Sequence, residues 1–469
     1  MPCFSGYEFL QQISQTANST CLQPLVYQGR RLTNSCLFLP DGRKMSADIA
    51  ELHPMLVTFI QAGYGHAIEA AAVATSLCAL GFPVILLDLW DIVQGEDAAS
   101  LQKVTGIYER FQRSRLARKL NRYFPVPLLL LKWFPAWFSK REARLGPQLE
   151  AALADWKVRR VIATHSFGAG ALSSGPFADK TVNLIPDPFG VRGAVGMACM
   201  GRLHVTNTAF DQKHVQLLRA FGLEQVELLE TPIPSDVMDW IVADRARSVS
   251  DPEQARYTRR RWEVFTGTSG AGSNWQEIEA IMRGITPELL KADSAFLLRV
   301  FVGAHAHLLD RATRLAQELG ILDSEHFELI YCKNLIEIGL VKYWLQASSE
   351  IVLEKAGEPA LIVPWLGSQY ISLGFTSPHE YGNLLTAKAR YPGVRDLPRQ
   401  IDAATLLTFF HTIRTEIEQQ LKSSDYRSRQ DALDALFPLL VSTDAQTGSV
   451  INRREQQDDF LRQLAGSTI

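Results

Sequence analysis

Apolar residues come in short unbroken runs divided by glycine turns and alanine-rich stretches, a rhythm that becomes regular at Met55. The run MLVTFI is rich in β-formers; QAGYGH follows it, and IEAAAVATSLCALG then reads as a helix stopped by Gly81. PVILLDLW is a second fully apolar strand. Strand, glycine turn, helix, strand is a βαβ unit, and strands without polar alternation imply a parallel sheet buried on both faces. VRRVIAT, TVNLIP, RLHVTN and VELLET continue the series, with a helix at His214–Phe221. The rhythm breaks in the charged stretch DRARSVSDPEQARYTRR, which predicts a linker helix, and restarts with WEVFT and the loop GTSGAG. A helix at Trp275–Arg283, the strands AFLLRVFVG, FELIYC and ALIVP, and a helix at Ala403–Leu421 form a second α/β series, and the tail predicts two further helices. Before Met55 the pattern is weak, with a helix over Tyr7–Thr16 and two strand-like pieces around Asp41-Gly42. The predicted division is an N-terminal extension over 1–53, a parallel-sheet domain over 54–240, a linker over 241–258, a second such domain over 259–421 and C-terminal helices over 422–469.

Composition narrows the class. The chain has 469 residues, 46% of them hydrophobic, the make-up of a globular protein of about two to four domains. Charge is nearly balanced, 48 Lys+Arg against 50 Asp+Glu, which argues against a protein that coats nucleic acid through basic charge. The balance hides a local asymmetry: 11 Lys/Arg stand against two acids between Lys103 and Arg144. Six dispersed cysteines with no CxxC pair suit neither a zinc site nor a disulfide scaffold and fit reduced thiols in a cytosol. The first residues lack a basic segment ahead of an apolar one, so no signal peptide is expected. The longest apolar run, Phe124 to Leu131, is far short of the ~20 residues that span a bilayer. A cytoplasmic protein, soluble or lying on a membrane surface, is expected.

Several segments could carry chemistry. Gly63-Tyr64-Gly65-His66 joins a strand to a helix, where glycines let a ligand approach the helix N-terminus; a plain tight turn is the competing reading. Thr164-His165-Ser166-Phe167-Gly168 also follows a strand and resembles a nucleophile elbow with Ser166 as nucleophile, although Thr164 stands where the elbow needs glycine. Asp187 in LIPDPFG lies just past a strand end, where parallel sheets bind ligands, or else it caps a turn beside Pro188. The loop Gly267-Thr268-Ser269-Gly270-Ala271-Gly272 lacks the Walker lysine but can cradle a diphosphate with backbone amides. Glu350 and Glu354 read as two carboxylates on one helix face, one of which could hold the two hydroxyls of a ribose; a solvated helix face is the alternative. His379, Glu380 and Asn383 offer donors and acceptors in a loop expected to face the cleft.

The basic stretch predicts a helix over Ile107–Phe124 whose surface carries Arg115, Arg118, Lys119 and Arg122, followed by Trp133, Phe134, Trp137 and Phe138. Basic residues beside aromatics are the composition of a membrane-surface anchor for an anionic leaflet, and an ordinary core helix with a basic face is the alternative.

In this order the motifs resemble a known family. AGYGHAIEAA with VILLDLWDI, VIATHSFGAGAL, LIPDPFG, HVTNTAF with ETPIPSDV, FTGTSGAG, and AGEPALIVPWLGSQY with HEYGN look like the GT-B glycosyltransferases related to monogalactosyldiacylglycerol synthase and the processive diacylglycerol glucosyltransferases. The likeness runs from about Met55 to Ala403. It implies two facing Rossmann-like domains, the first taking a lipid acceptor and the second a nucleotide-sugar, expected to be a UDP-sugar, with no metal and no further cofactor. It implies His66 and Asp187 at the acceptor-side catalytic positions, with Gly63, Gly65 and His165 around the acceptor. Gly267, Ser269, Gly270, Ala271 and Gly272 would form the donor diphosphate loop, with Glu350, Glu354, His379, Glu380 and Asn383 completing the donor site. The chain departs from the family in three places. Ala347-Ser348 stands where Lys-Pro is usual, VRGAVGMAC supplies no histidine after Asp187, and about eight residues are added between Gly367-Ser368-Gln369 and His379-Glu380. A lipid-directed serine hydrolase using Ser166 and a catalytically silent nucleotide- or lipid-binding relative are the alternatives.

Overall fold

The computed structural model describes residues 3–5, 21–40, 48–61, 64–93, 128–173, 175–185, 206–209, 212–220, 222–223, 225–229, 231–251, 256–268, 270, 272, 274–291, 293–375, 378–398, 401–422, 441–443 and 450–465, with 425, 427, 429, 431 and 433. In chain order the strands are β1 (Cys3–Ser5), β2 (Cys21–Tyr27), β3 (Arg30–Leu39), β4 (Met55–Phe59), β5 (Val84–Asp88), β6 (Val161–Ala163), β7 (Thr181–Asn183), β8 (Thr206–Ala209) and β9 (Val226–Leu228). They continue as β10 (Trp262–Gly267), β11 (Phe296–Phe301), β12 (Phe327–Tyr331), β13 (Ile351–Glu354), β14 (Gln369–Ser372), β15 (Arg395–Asp396), β16 (Val441–Thr443) and β17 (Val450–Asn452). The helices used below are α1 (Gly65–Ala79), α2 (Leu128–Asp155), α3 (Ser166–Leu172), α4 (Gln212–Ala220), α5 (Ser235–Ser250), α6 (Trp275–Leu289), α7 (Ala306–Glu318), α8 (Leu335–Ser348), α9 (Glu358–Ile362), α10 (Pro378–Arg390), α11 (Ala403–Leu421) and α12 (Arg453–Ala465).

Two sheets organise the chain as two Rossmann-like domains. The first has the order β2-β3-β5-β4-β6-β7-β8-β9, parallel from β5 to β9, with the β2–β3 hairpin joined antiparallel to β5. The second is parallel throughout in the order β1-β12-β11-β10-β13-β14-β15, so β10 to β15 run three-two-one-four-five-six. Every residue of β4, β5, β11 and β13 is buried, as unbroken apolar runs require.

The structure differs from the sequence expectation in four places. The N-terminal hairpin turns at Gln28-Gly29, both with positive φ (50° and 74°), a two-residue turn matched to strand twist, whereas Asp41-Gly42 lies outside the described residues. Residues 3–5 add an edge strand to the second sheet while 21–39 join the first, so the extension belongs to both domains. ALIVP is not a strand: Glu358–Ile362 is a short helix with Pro359 in its first turn, and the strand is IVLE, one segment earlier. An apolar run of four or five residues carries no periodicity that separates strand from helix. Of the charged stretch only its first part, Asp244–Ser250, is helical within α5, which starts earlier, at Ser235, and buries Val237, Met238 and Ile241. The tail supplies α12 and the small antiparallel pair β16–β17. The predicted helices over 7–16 and 107–124 lie outside the described residues.

The domains are joined by more than the linker. The alanine-rich α1 of the first packs against α8 of the second, and apolar residues of both share cores. α12 returns from the C-terminus to the first domain, where Gln457 exchanges two hydrogen bonds with the Ile233 backbone (3.1 and 2.9 Å) and donates to Ser76 Oγ at 3.1 Å. No helix among the described residues is long and apolar enough to cross a membrane.

Candidate active site

β4, β6 and β7 are parallel neighbours, so the segments leaving their C-terminal ends converge. After β4 comes the turn to α1, whose second residue is His66; after β6 comes His165, the cap of α3. Thr164 Oγ1 donates to the carbonyls of Thr58 (3.1 Å) and His66 (3.0 Å), which fastens the two turns together. The imidazoles of His66 and His165 meet edge-on with centroids 4.6 Å apart. His165 Nδ1 accepts the Phe167 N–H at 3.1 Å, which assigns its proton to Nε2. Burial, and then the neighbouring His66, push its pKa well below the ordinary histidine value, so it stays neutral. Gly63 and Asp187 lie outside the described residues, as does the side chain of Ser166 at the start of α3.

One helical turn beyond His66 stands Glu69, 1% exposed, with Oε2 3.8 Å from His66 Nδ1 and no hydrogen bond to either carboxyl oxygen. Burial and then Glu358 raise its pKa well above the carboxylate range. Glu358 comes from the other domain, where it opens α9 after β13. Its carboxylate lies against Gly65, at which a Cβ would come within 2.7 Å of Oε1. Sequence reading passed over Glu69; the available signal was a lone carboxyl inside the apolar helix IEAAAVATSLCAL. Nothing along the chain announces its proximity to Glu358.

A second bridge between the domains lies beside the first. The Tyr64 hydroxyl accepts the Ala304 N–H at 3.0 Å in the turn after β11, and its ring is 5.5 Å from that of His305. Gly303 has φ +61°, and a Cβ there would lie 2.3 Å from the Tyr64 hydroxyl.

On the second sheet the loop after β10 follows the expected strand–loop–helix path. Thr268 N–H donates to Phe301 O at 2.9 Å, and Asn274 Nδ2 donates to Gly267 O at 2.7 Å, tying both ends of the loop. Gly270 and Gly272 are described; Ser269 and Ala271 lie outside the described residues. Beneath Gly267 lies a buried ion pair of Lys342 with Glu354, and Gln346 Nε2 donates to the other Glu354 oxygen at 2.5 Å.

This geometry corrects two donor-site expectations. Glu350 and Glu354 do not share a helix face, because the residues between them form β13, along which four residues span about 13 Å. Glu354 is engaged by Lys342 and Gln346 beneath Gly267. Glu350 is fully buried at the opposite end of the strand, where it accepts the Glu263 N–H at 2.6 Å beside Arg256 and Arg259 at 3.6 and 3.7 Å. Both carboxylates are thus engaged within the scaffold. Glu380 of α10 binds Lys355 Nζ at 2.5 Å, joining the segments that leave β13 and β14, and Asn383 is fully buried beside it. Lys355 was missed because β13 had been read as helix. The His379 side chain lies outside the described residues.

Arg115, Arg118, Lys119 and Arg122 also lie outside them, and Trp133 and Trp137 are placed on α2, four residues apart, without their side chains. Among the described residues no group of three or more His, Cys, Asp or Glu could hold a metal ion.

No protein-family model matches the chain, and no curated protein matches it in sequence. Among solved structures it is similar to the UDP-GlcNAc 2-epimerase of Neisseria meningitidis bound to UDP-GlcNAc, at 12% identity over 88% of this chain and 100% of that one, with a TM-score of 0.43. MurG of Acinetobacter baumannii gives 12% identity over 87% and 100% with a TM-score of 0.41. The glycosyltransferase SnogD of Streptomyces nogalater gives 13% over 88% and 99% with a TM-score of 0.39. At that level of similarity only this chain's own residues bear on the chemistry.

Proposed function

We propose that this protein is a glycosyltransferase that moves a sugar from a nucleotide-sugar, a UDP-hexose, to a lipid acceptor such as diacylglycerol at an anionic membrane surface. The carrying observation is the meeting of the Tyr64-Gly65-His66 turn with the Ala304 amide and the Glu358 carboxylate of the facing domain. Two strand-end loop sets close on one junction, the arrangement a two-substrate transfer needs. In this reading His66 takes the acceptor hydroxyl proton, with Asp187 as the other acceptor-side catalytic residue. The freed oxygen attacks the anomeric carbon from the face opposite the nucleotide, so the configuration inverts in one displacement. The bond to the nucleoside diphosphate breaks, and its negative charge is received by the amides of Gly267–Gly272 at the start of α6. His165, held neutral, adds no cation that would compete with proton uptake by His66. In this reading His379, Glu380 and Asn383 belong to the donor side, with Glu380 held by Lys355. The membrane part rests on sequence: the local excess of basic charge from Lys103 to Arg144 supplies attraction, and Trp133 and Trp137 the headgroup contact.

With UDP-hexoses and diacylglycerol vesicles, His66→Ala should lower kcat about 10²-fold or more while nucleotide affinity stays within a factor of two or so. Ser166→Ala should be mild; loss of activity in that variant alone would favour the hydrolase. Sedimentation with anionic vesicles should weaken as salt rises, and replacing Arg115, Arg118, Lys119 and Arg122 together by Gln should release the protein. Unchanged sedimentation of that variant would remove the membrane assignment.

A further inference from the structure

The proposed transfer leaves one buried ionisable side chain beside the reacting centre without a task. Glu69 lies three residues after His66 on α1, a spacing that puts the two side chains on one face, with Oε2 3.8 Å from Nδ1. It is 1% exposed, neither carboxyl oxygen has a hydrogen-bond partner, and alanines flank it at 67, 70, 71 and 72. A buried carboxyl with no donor is costly, and a helix packed through alanines has no use for its bulk. We propose that Glu69 is the positioning residue of His66: its carboxylate accepts the Nδ1 proton and leaves Nε2 with the lone pair that takes the proton of the acceptor hydroxyl. This rests on the transferase reading of the junction. In the step, the acceptor O–H bond breaks with its proton going to Nε2, and the oxygen bonds to the anomeric carbon. The anomeric C–O bond to the diphosphate breaks with its electron pair leaving on the phosphate oxygen. Glu69 stays ionised throughout and faces the resulting imidazolium. The present separation is longer than a hydrogen bond, as catalytic contacts often are before substrates bind.

The groups around Glu69 decide when it is a carboxylate. His66 lies beside it on α1, with His165 of α3 edge-on to that ring; Glu358 of α9 faces it from the other domain. Burial, then Glu69 and Glu358, raise the pKa of Tyr343 on α8 well above the ordinary tyrosine value, and Arg453 of α12 acts on it in the opposite sense. Burial and the Glu358 charge favour the acid form, which can donate to Nδ1 and so hold the proton on Nε2, the idle tautomer. Turnover should therefore rise with pH through a limb lying above the ordinary carboxylate range.

The test combines kcat and KM across pH with nitrogen NMR of histidine-labelled full-length protein, for the wild type, Glu69→Gln and Glu358→Gln. In the wild type the Nδ1–H tautomer of His66 should grow with pH in step with kcat, with KM unchanged. Glu358→Gln should move both to lower pH. Glu69→Gln should abolish the limb and lower kcat by about 10–100-fold, the usual weight of a histidine's outer partner. A limb and a tautomer balance identical in Glu358→Gln and wild type, or a wild-type profile in Glu69→Gln, would overturn the assignment. If Glu69→Gln does not fold, the Glu358→Gln arm decides alone. Failure of the transferase reading shows separately, as absence of turnover in the wild type with every nucleotide-sugar, and leaves the NMR arm standing.

Discussion

Glu354 and Glu69 are both glutamates hidden from solvent, 3% and 1% exposed, one in each domain and each beside a strand-end loop. Glu354 ends β13 and has a partner on each oxygen, Lys342 on one and Gln346 on the other, under a loop expected to take a diphosphate. Glu69 has a partner on neither oxygen, an imidazole 3.8 Å away, and a second carboxylate approaching from the facing domain. Burial alone therefore does not say what a carboxyl is for. A buried group whose lone pairs are all used fixes the backbone around it, whereas one left unsatisfied keeps a free energy that ligand or proton can change. The comparison also separates the domains: the second offers a braced cradle, and the first a junction whose protonation is unsettled.

The largest effect that would break this contrast is on stability at Glu354. Lys342→Met keeps an unbranched apolar chain but removes the ammonium that lies over the Phe265 and Phe301 rings and strands a buried carboxylate, which should cost about 3–5 kcal/mol in urea unfolding. A loss below ~1 kcal/mol would mean the pair does not brace the loop.

Glu69 should behave in the opposite way, and more weakly. Between the ordinary carboxylate pKa and its raised native value, the native state holds a proton that the unfolded chain has released. Its contribution is therefore complete at low pH and declines as pH rises through the native value. Glu69→Gln should flatten that decline and leave stability near neutral pH equal or higher. Asp88 and Glu350, each raised to about 7 chiefly by burial, give a decline of the same sign that the variant keeps. Equal slopes in wild type and Glu69→Gln, read from urea midpoints across pH, would show that Glu69 is ionised in the folded protein.

How much of this was legible along the chain follows the same division. The β4–α1–β5 unit and the β10–loop–α6 unit could be read because unbroken apolar runs and glycine turns are local signals. His66 and His165 could be placed at strand ends by the same logic. Glu350 and Glu354 were misread because IVLE and EPALI are too short to show a period, so strand and helix exchanged places. The edge strand of the second sheet, β1, is three residues long and pairs with β12, Cys3 opposite Leu329, which no local pattern encodes. Glu69 was overlooked for a related reason: its meaning comes from Glu358, a residue of the other domain.

The central claim is that the junction of the two domains binds a nucleotide-sugar through the loop after β10. Calorimetric titration of UDP into the wild type and into Gly270→Asp tests it most directly. Saturable one-to-one binding to the wild type is expected and none to the variant, whose added carboxylate repels the diphosphate while circular dichroism shows the fold retained. Equal UDP affinity in the two proteins would contradict it.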